Sequence, residues 1–203
     1  MTEILVVPDR SHDGSLDPHA AELIGAASEI GTPIVLIDDR THAHALSTLG
    51  AATVLVSDAP LVDATTTALT TLNPAAVLFS HTVRGRETAG RVAVRAGKAL
   101  LTDAVAVRRD AEGIVTDHQN FGGAYTATAA ATHSAPVITV RPGAVEARAA
   151  AVATPDVRDL DVQPSGARTA EVVSVTPVER TSTRPDLLTA DKVVAGGVSL
   201  GDD

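Results

Sequence analysis

The sequence has no cysteine and no tryptophan, and its only aromatic residues are Phe79, Phe121 and Tyr125. Without thiols there are no disulfides, no thiolate chemistry and no cysteine-based metal sites. Without aromatics the core must be built from Ala, Val, Leu and Ile, which favours close packing of helices on a sheet. Positive charge is also in short supply: 16 Lys and Arg stand against 25 Asp and Glu, a formal charge of −9. That balance argues against binding nucleic acid through a broad basic surface. No apolar run approaches the roughly 18 residues that a membrane span requires. Met1-Thr2-Glu3 leads straight into a strand-like segment with no basic leader region. The expectation is a cytoplasmic protein that neither inserts into membranes nor binds nucleic acid.

What is there reads as an α/β chain. Its 203 residues allow one domain with a tail, or two small domains. Ile4-Leu5-Val6-Val7 is a short apolar strand, as expected of a strand buried on both faces. Asp17 reads as an N-cap with Pro18 in the first turn, followed by Ala20, Leu23, Ile24, Ala27 and Ile30 at helical spacing and a left-handed stop at Gly31. Ile34-Val35-Leu36-Ile37 is the next strand, so the first crossover is parallel. The rhythm repeats with a helix from Ala43 to Leu49 and a strand at Thr53–Val56. A Thr-rich helix from Leu61 to Leu72, a strand at Ala76–Phe79 and a helix from Arg86 to Lys98 follow. After Leu100 the pattern changes. Ala104–Val107, Gly113–Asn120, Tyr125–Ala131 and Pro136–Val140 read as consecutive, mostly antiparallel strands. The segment from Ala147 to Gly166 resembles a linker, Glu171–Val178 alternates like an edge strand, and Lys192–Ala195 reads as a strand running into the Gly196-Gly197 turn.

Few motifs carry chemistry. Gly90 and Gly97-Lys98 have the wrong spacing for a phosphate loop, which also requires Ser or Thr after the lysine. Asp38-Asp39 closes a strand where a dinucleotide fold places its ribose-binding acid. The loop from Pro8 to Asp17 lacks the required glycines, so helix-cap carboxylates are the better reading. His42 and His44 are two apart and would face different sides of a helix, so no metal site is expected. No nucleophile elbow surrounds any serine, so no catalytic residue is assigned. The loop from Ser80 to Arg86 is the informative one, because it lies where a parallel strand feeds a helix, the ligand-facing rim of such sheets. Arg84 and Arg86 flank Gly85 there. A part in an interface or in structure, and direct contact with an anion, are both open to it.

The stretch Ser80-His81-Thr82-Val83-Arg84-Gly85-Arg86-Glu87-Thr88-Ala89-Gly90-Arg91-Val92-Ala93 is similar to the S-x-T-x-x-G-R-[DE]-x-A-x-R-x-A signature of the electron transfer flavoprotein α-subunit. Thr102-Asp103-Ala104-Val105 resembles that family's T-D-V element. Gly122-Gly123-Ala124 and Pro136-Val137-Ile138-Thr139-Val140-Arg141-Pro142-Gly143 resemble its later segments. Leu187 to Gly197 resembles its junction into the flavin domain. These stretches occur in the family's order along nearly the whole chain.

The resemblance implies a heterodimer of α- and β-subunits carrying one FAD, which passes electrons from dehydrogenases to an acceptor. It implies an α/β fold: a mixed sheet with a parallel βα half followed by antiparallel strands and helices on both faces, of the adenine-nucleotide α-hydrolase-like architecture. Residues 1–145 would be the N-terminal α/β domain, 146–190 a linker with an edge strand, and 191–203 the start of the flavin domain. The chain would be an electron-carrier domain, not an enzyme on its own, and would hold no cofactor alone. Ser80, Thr82, Arg84, Gly85, Arg86 and Arg91 are the interface or anion candidates. Gly196, Gly197 and Val198 would form part of the FAD site. Val198 stands where the family commonly has an arginine that favours reduced flavin, a role valine cannot fill. The rival readings are a free-standing nucleotide-binding module, which needs a glycine-rich phosphate loop, and a structural paralogue without flavin.

Overall fold

The computed structural model describes residues 2–11, 13–169, 173–176, 187, 190 and 192–197. The chain divides into two units, Met1–Thr169 and Ala170–Asp203.

In the first unit, β1 (Glu3–Val7), α1 (Ala20–Ile30), β2 (Thr32–Ile37), α2 (Ala43–Thr48), β3 (Thr53–Val56), α3 (Leu61–Leu72), β4 (Ala76–Ser80) and α4 (Val83–Ala96) form the alternating half. Then come β5 (Leu100–Asp110), β6 (Gly113–Asn120), β7 (Tyr125–Ala130), β8 (Val137–Val140) and β9 (Asp156–Asp159). They make one sheet in the order β7-β6-β5-β8-β4-β1-β2-β3-β9. The period of two within β1 assigns its faces. Ile4 and Val6 pack with Leu23, Ile24, Ala27 and Leu46 of α1 and α2. Leu5 and Val7 pack on the other side with Val62, Ala68, Ala89 and Val92 of α3 and α4. Fully buried side chains such as Leu5, Leu36, Leu46 and Phe79 each stabilise the fold by about 1.5–3 kcal/mol. The Thr-rich α3 holds through its buried face of Val62, Ala64, Ala68 and Leu69, while Thr65, Thr66 and Thr70 satisfy their hydroxyls on the carbonyls of Leu61, Val62 and Thr66.

The structure departs from the sequence reading in five places. First, β8 does not continue the antiparallel run. It inserts between β5 and β4, parallel to both, because Val137-Ile138-Thr139-Val140 is buried throughout and needs neighbours on both sides. Among the described strands only β5–β6 and β6–β7 pair antiparallel. Second, Gly31 has φ 171°, which is extended backbone. It is glycine because a Cβ there would lie 2.3 Å from the Thr2 carbonyl oxygen. The left-handed helix stops are Asn73 and Gly97. Third, the regular turns of α1 begin at Ala20, two residues past Pro18, and the Asp17 carboxylate accepts the His19 amide, 2.8 Å away, in the turn that leads into them. Fourth, the linker-like segment is a strap. Ala147 lies so close to α1 that a Cβ on Gly25 would be 2.0 Å from its carbonyl oxygen. Val152 N donates to Ser47 O at 2.8 Å, and Asp156–Asp159 then pairs with β3 as the edge strand. Leu160 and Val162 cover the α3–α4 side.

Fifth, in the second unit the expected strand at Lys192–Ala195 is irregular and exposed, with Val194 98% accessible. Its consecutive apolar residues find no partner strand among the described residues. Of the edge strand expected at Glu171–Val178, residues 173–176 are irregular, and the rest lies outside the described residues.

Candidate functional site

The chain grows outward from β1 to β2 and β3, then returns to place β4 on the other side of β1. This reversal puts a switch point between the carboxyl ends of β1 and β4, where open α/β sheets bind ligands. Ser80 ends β4, fully buried, and α4 starts against it so closely that a Cβ on Gly85 would lie 1.9 Å from the Ser80 carbonyl oxygen. Thr82 is the N-cap. Its hydroxyl accepts the Gly85 amide at 3.0 Å, and its carbonyl accepts the Arg86 amide at 3.0 Å.

The same hydroxyl donates to Asp9 Oδ2, in the loop leaving β1. Arg84 Nε stands 3.8 Å from Asp9 Oδ1, and the Asp9 side chain is only 11% exposed. The switch-point crevice is therefore occupied by the protein's own carboxylate, tied through Thr82 to the N-terminus of α4. A phosphate or pyrophosphate there would meet a fixed negative charge. The described residues do not fit a flavin at this crevice.

Of the sequence candidates, Ser80, Thr82, Arg84 and Gly85 are thus assembled around Asp9. Arg86 lies beside them, exposed, with Nε donating to the Thr82 carbonyl at 3.2 Å. Arg91 is not part of this group: it pairs with Glu87 and donates to Arg168 O at 2.7 Å, fastening the strap. Gly196 and Gly197 lie in the second unit, irregular and exposed, and Val198 is outside the described residues.

Next to the rim is a second group that sequence reasoning quoted within motifs but did not mark as a site. Asp103 sits at an irregularity of β5 with φ 59°, an uncommon left-handed conformation for a non-glycine residue. Arg141, just past β8, grips it with two bonds of 2.9 and 2.7 Å and reaches the Gln119 carbonyl at 3.0 Å. These bonds hold the Asp103 carboxyl below its ordinary range. His81 Nδ1 lies 2.8 Å from the Thr139 hydroxyl, which also accepts the Asp103 amide at 2.9 Å. Burial lowers the His81 pKa, against the opposing pull of Asp103, and favours the neutral ring. The recoverable signal was that Asp103 and Arg141 are the charged residues of two motif segments, an acid and a base that could pair.

Asp39 caps the short turn Arg40–His42 through the Thr41 amide, as the sequence suggested, whereas Asp38 pairs with Arg10 in the loop after β1 at 2.5 Å. No cluster of three or more His, Asp or Glu among the described residues could hold a metal. No helix among them is long and apolar enough to cross a membrane. A cleft of about 320 Å³ opens at the amino ends of β4 and β8, lined by Asn73, Pro74, Arg109 and Pro136. Arg109 is committed there to the Ile30 carbonyl at the end of α1, 3.0 Å away.

Residues 4–179 match the model of the electron transfer flavoprotein domain. The electron transfer flavoprotein α-subunit of Mycobacterium leprae is 37% identical over 215 aligned positions, covering 99% of this chain and 66% of the relative. That of Mycobacterium tuberculosis is 42% identical over 165, covering 74% of this chain and 51% of the relative. The Syntrophomonas wolfei α-subunit is 36% identical over 127, covering 61% and 38%. The chain thus spans less than two thirds of the length of these relatives. On this agreement in sequence and fold, the chain belongs to the electron transfer flavoprotein domain family, as a protein of the α-subunit type.

Proposed function

We propose that this chain is the N-terminal, subunit-binding scaffold of an electron transfer flavoprotein α-subunit. It assembles with a β-subunit into a heterodimer whose FAD passes electrons from dehydrogenases to a downstream acceptor. In this reading residues 1–145, with the strap that packs back on them, form the scaffold, and 191–203 open the flavin domain, with Gly196, Gly197 and Val198 beside the flavin. The scaffold carries out no reaction itself.

The observation that supports a scaffold over a free-standing nucleotide module is the Asp9 carboxylate locked into the switch-point crevice by Thr82. A nucleotide module would keep that place open to phosphate. What remains outward at this rim is cationic: Arg84 and Arg86, both exposed. On a chain of net charge −9 they form a local positive surface suited to an acidic patch of the β-subunit. Charge reversal of both, Arg84→Glu with Arg86→Glu, should weaken heterodimer formation by several kcal/mol if they sit at the interface. Unchanged affinity, measured by titration with purified β-subunit, would remove this rim from the contact.

A further inference from the structure

His81 follows β4 directly, and its amide donates to the Val140 carbonyl of β8 at 2.7 Å. Its side chain, 18% exposed, sits at the carboxyl ends of β4, β8 and β5. The hydrogen-bond count at Thr139 fixes its protonation state. Thr139 is wholly buried, and its hydroxyl oxygen accepts the Asp103 amide at 2.9 Å. The hydroxyl proton needs an acceptor, and the one within reach among the described residues is His81 Nδ1, 2.8 Å away. His81 is therefore neutral, with its proton on Nε2, the nitrogen that stands 3.8 Å from Asp103 Oδ1. A second proton would have to go to Nδ1, where two donors would then face each other. The Thr139 hydroxyl would have to turn its own proton into a buried site that offers it no other acceptor among the described residues.

Asp103 is the part of this network that is held against its backbone preference. Its left-handed φ of 59° is maintained by the Thr139 hydroxyl on its amide and by the two Arg141 bonds on its carboxylate. Arg141 in turn reaches the Gln119 carbonyl at the end of β6. One proton on His81 thus bears on both supports of a clamp that joins β5, β8 and β6. The charged groups that face the His81 ring are Asp103 on β5, Arg86 on α4 and Arg141 past β8. His118 of β6 faces Asp103, with Nε2 2.7 Å from the Thr116 hydroxyl. Burial lowers the His81 pKa, Asp103 opposes this, and Arg86 and Arg141 add to it. A histidine whose pKa is lower when folded takes up its proton more readily in the unfolded chain. The stability it contributes is full above about pH 6.5 and declines as pH falls toward the folded value.

We infer that His81 is a proton-sensitive latch on this clamp. Neutral, it accepts the Thr139 hydroxyl and leaves Asp103 in the grip of Arg141. Protonated, it gives up that hydroxyl, draws Asp103 toward its own charge and loosens the hold of Arg141 on the end of β6. All of these contacts lie within the first unit, so the latch stands or falls independently of the subunit reading.

The test joins nitrogen NMR of the histidine rings to hydrogen exchange on the purified chain. At about pH 7.5 the His81 ring should carry its proton on Nε2 and none on Nδ1. Exchange is expressed as protection factors, which removes the intrinsic pH dependence of amide exchange. Protection of the Asp103 amide should fall about tenfold between about pH 7.5 and about pH 5, with a midpoint at the His81 titration, while β1 keeps its protection. In His81→Asn the side-chain oxygen takes the place of Nδ1 as acceptor but cannot titrate, so protection there should stay within about twofold across the same range. A ring protonated on Nδ1 at about pH 7.5 overturns the inference, as does constant protection of Asp103 in the wild type. An equal fall in His81→Asn also overturns it, because the proton then acts elsewhere, with His118 the first suspect. Should His81→Asn fail to fold, the wild type still decides: a loss of protection whose midpoint departs from the His81 titration refutes the latch, and one that coincides with it upholds it.

Discussion

Asp63 on α3 is the fastening of the strap, and removing it should free that segment while leaving the sheet in place. Its side chain is 6% exposed. Oδ1 accepts Arg95 Nη1 of α4 and the Ser165 hydroxyl at 2.8 Å, and Oδ2 accepts the Ser165 amide at 2.9 Å. Truncating one member of a buried, hydrogen-bonded ion pair costs about 3–5 kcal/mol. Arg95 keeps 27% of its side-chain surface and can turn to water, so a cost below that scale, about 2–3 kcal/mol, is expected for Asp63→Ala. With an m-value of roughly 2 kcal/mol/M, the urea midpoint at pH 7 should fall by about 1–1.5 M. Exchange at Ser165 and its neighbours should quicken more than exchange in β1 or β4. A midpoint shift under about 0.3 M, or uniform loss of protection across the sheet, would refute the fastening.

The pH dependence gives an independent reading of the same contact. Burial pushes the Asp63 carboxyl upward, but the bonds from Ser165 and Arg95 outweigh it, and the net shift is below the ordinary value. A carboxyl whose pKa is lower when folded contributes stability above its unfolded value, and loses it as pH falls through the folded one. The gap in stability between wild type and Asp63→Asn should therefore be full at pH 7 and narrow below about pH 4. A gap that widened on acidification would reverse the sign of this account.

Two further outcomes follow from the rim. Gly85→Ala must displace the Ser80 carbonyl, 1.9 Å from the new methyl, and should cost about 2–4 kcal/mol in thermal or urea unfolding. Gly90→Ala in the same helix meets nothing within 4 Å and should stabilise by about 0.5–1 kcal/mol, so equal effects at the two sites would defeat the packing argument. Dialysed against FAD, the 203-residue chain should remain colourless, because the crevice that such sheets offer to phosphate holds the Asp9 carboxylate. A stoichiometric yellow complex would overturn that reading of the crevice.

The alternating half of the fold was legible because its signals are local. Short apolar strands and helices of 3.6 period leave their pattern within a dozen residues, as in β1, α1 and β2. What the sequence hid was set by distant pairing. Val137–Val140 looks the same whether it pairs with β7 or with β4, and only burial on both faces decides. Asp156–Asp159 offers a single apolar residue, Val157, and pairs because the edge of β3 is within reach. Gly31 shows the same limit: its position at a helix end was readable, but the reason, a close approach to Thr2, was not.

At the rim the division between legible and hidden residues carries functional meaning. Thr82 and Gly85 are recognisable from spacing, and the structure accounts for both without any ligand: one caps α4, and the other leaves room for the Ser80 carbonyl. Their presence in the motif says how a strand turns into a helix, and does not by itself point to flavin. Asp9 gave no signal, since a single acid in a polar loop resembles any solvated residue, yet it decides that the crevice is closed to phosphate. Arg86 is the opposite case. Its Nε donates to the Thr82 carbonyl, and the residue is exposed. In the proposed interface, Arg86 would therefore meet an acidic partner first, since among the described residues its side chain is bonded to a carbonyl and not to a carboxylate. Arg84, already drawn toward Asp9, comes second.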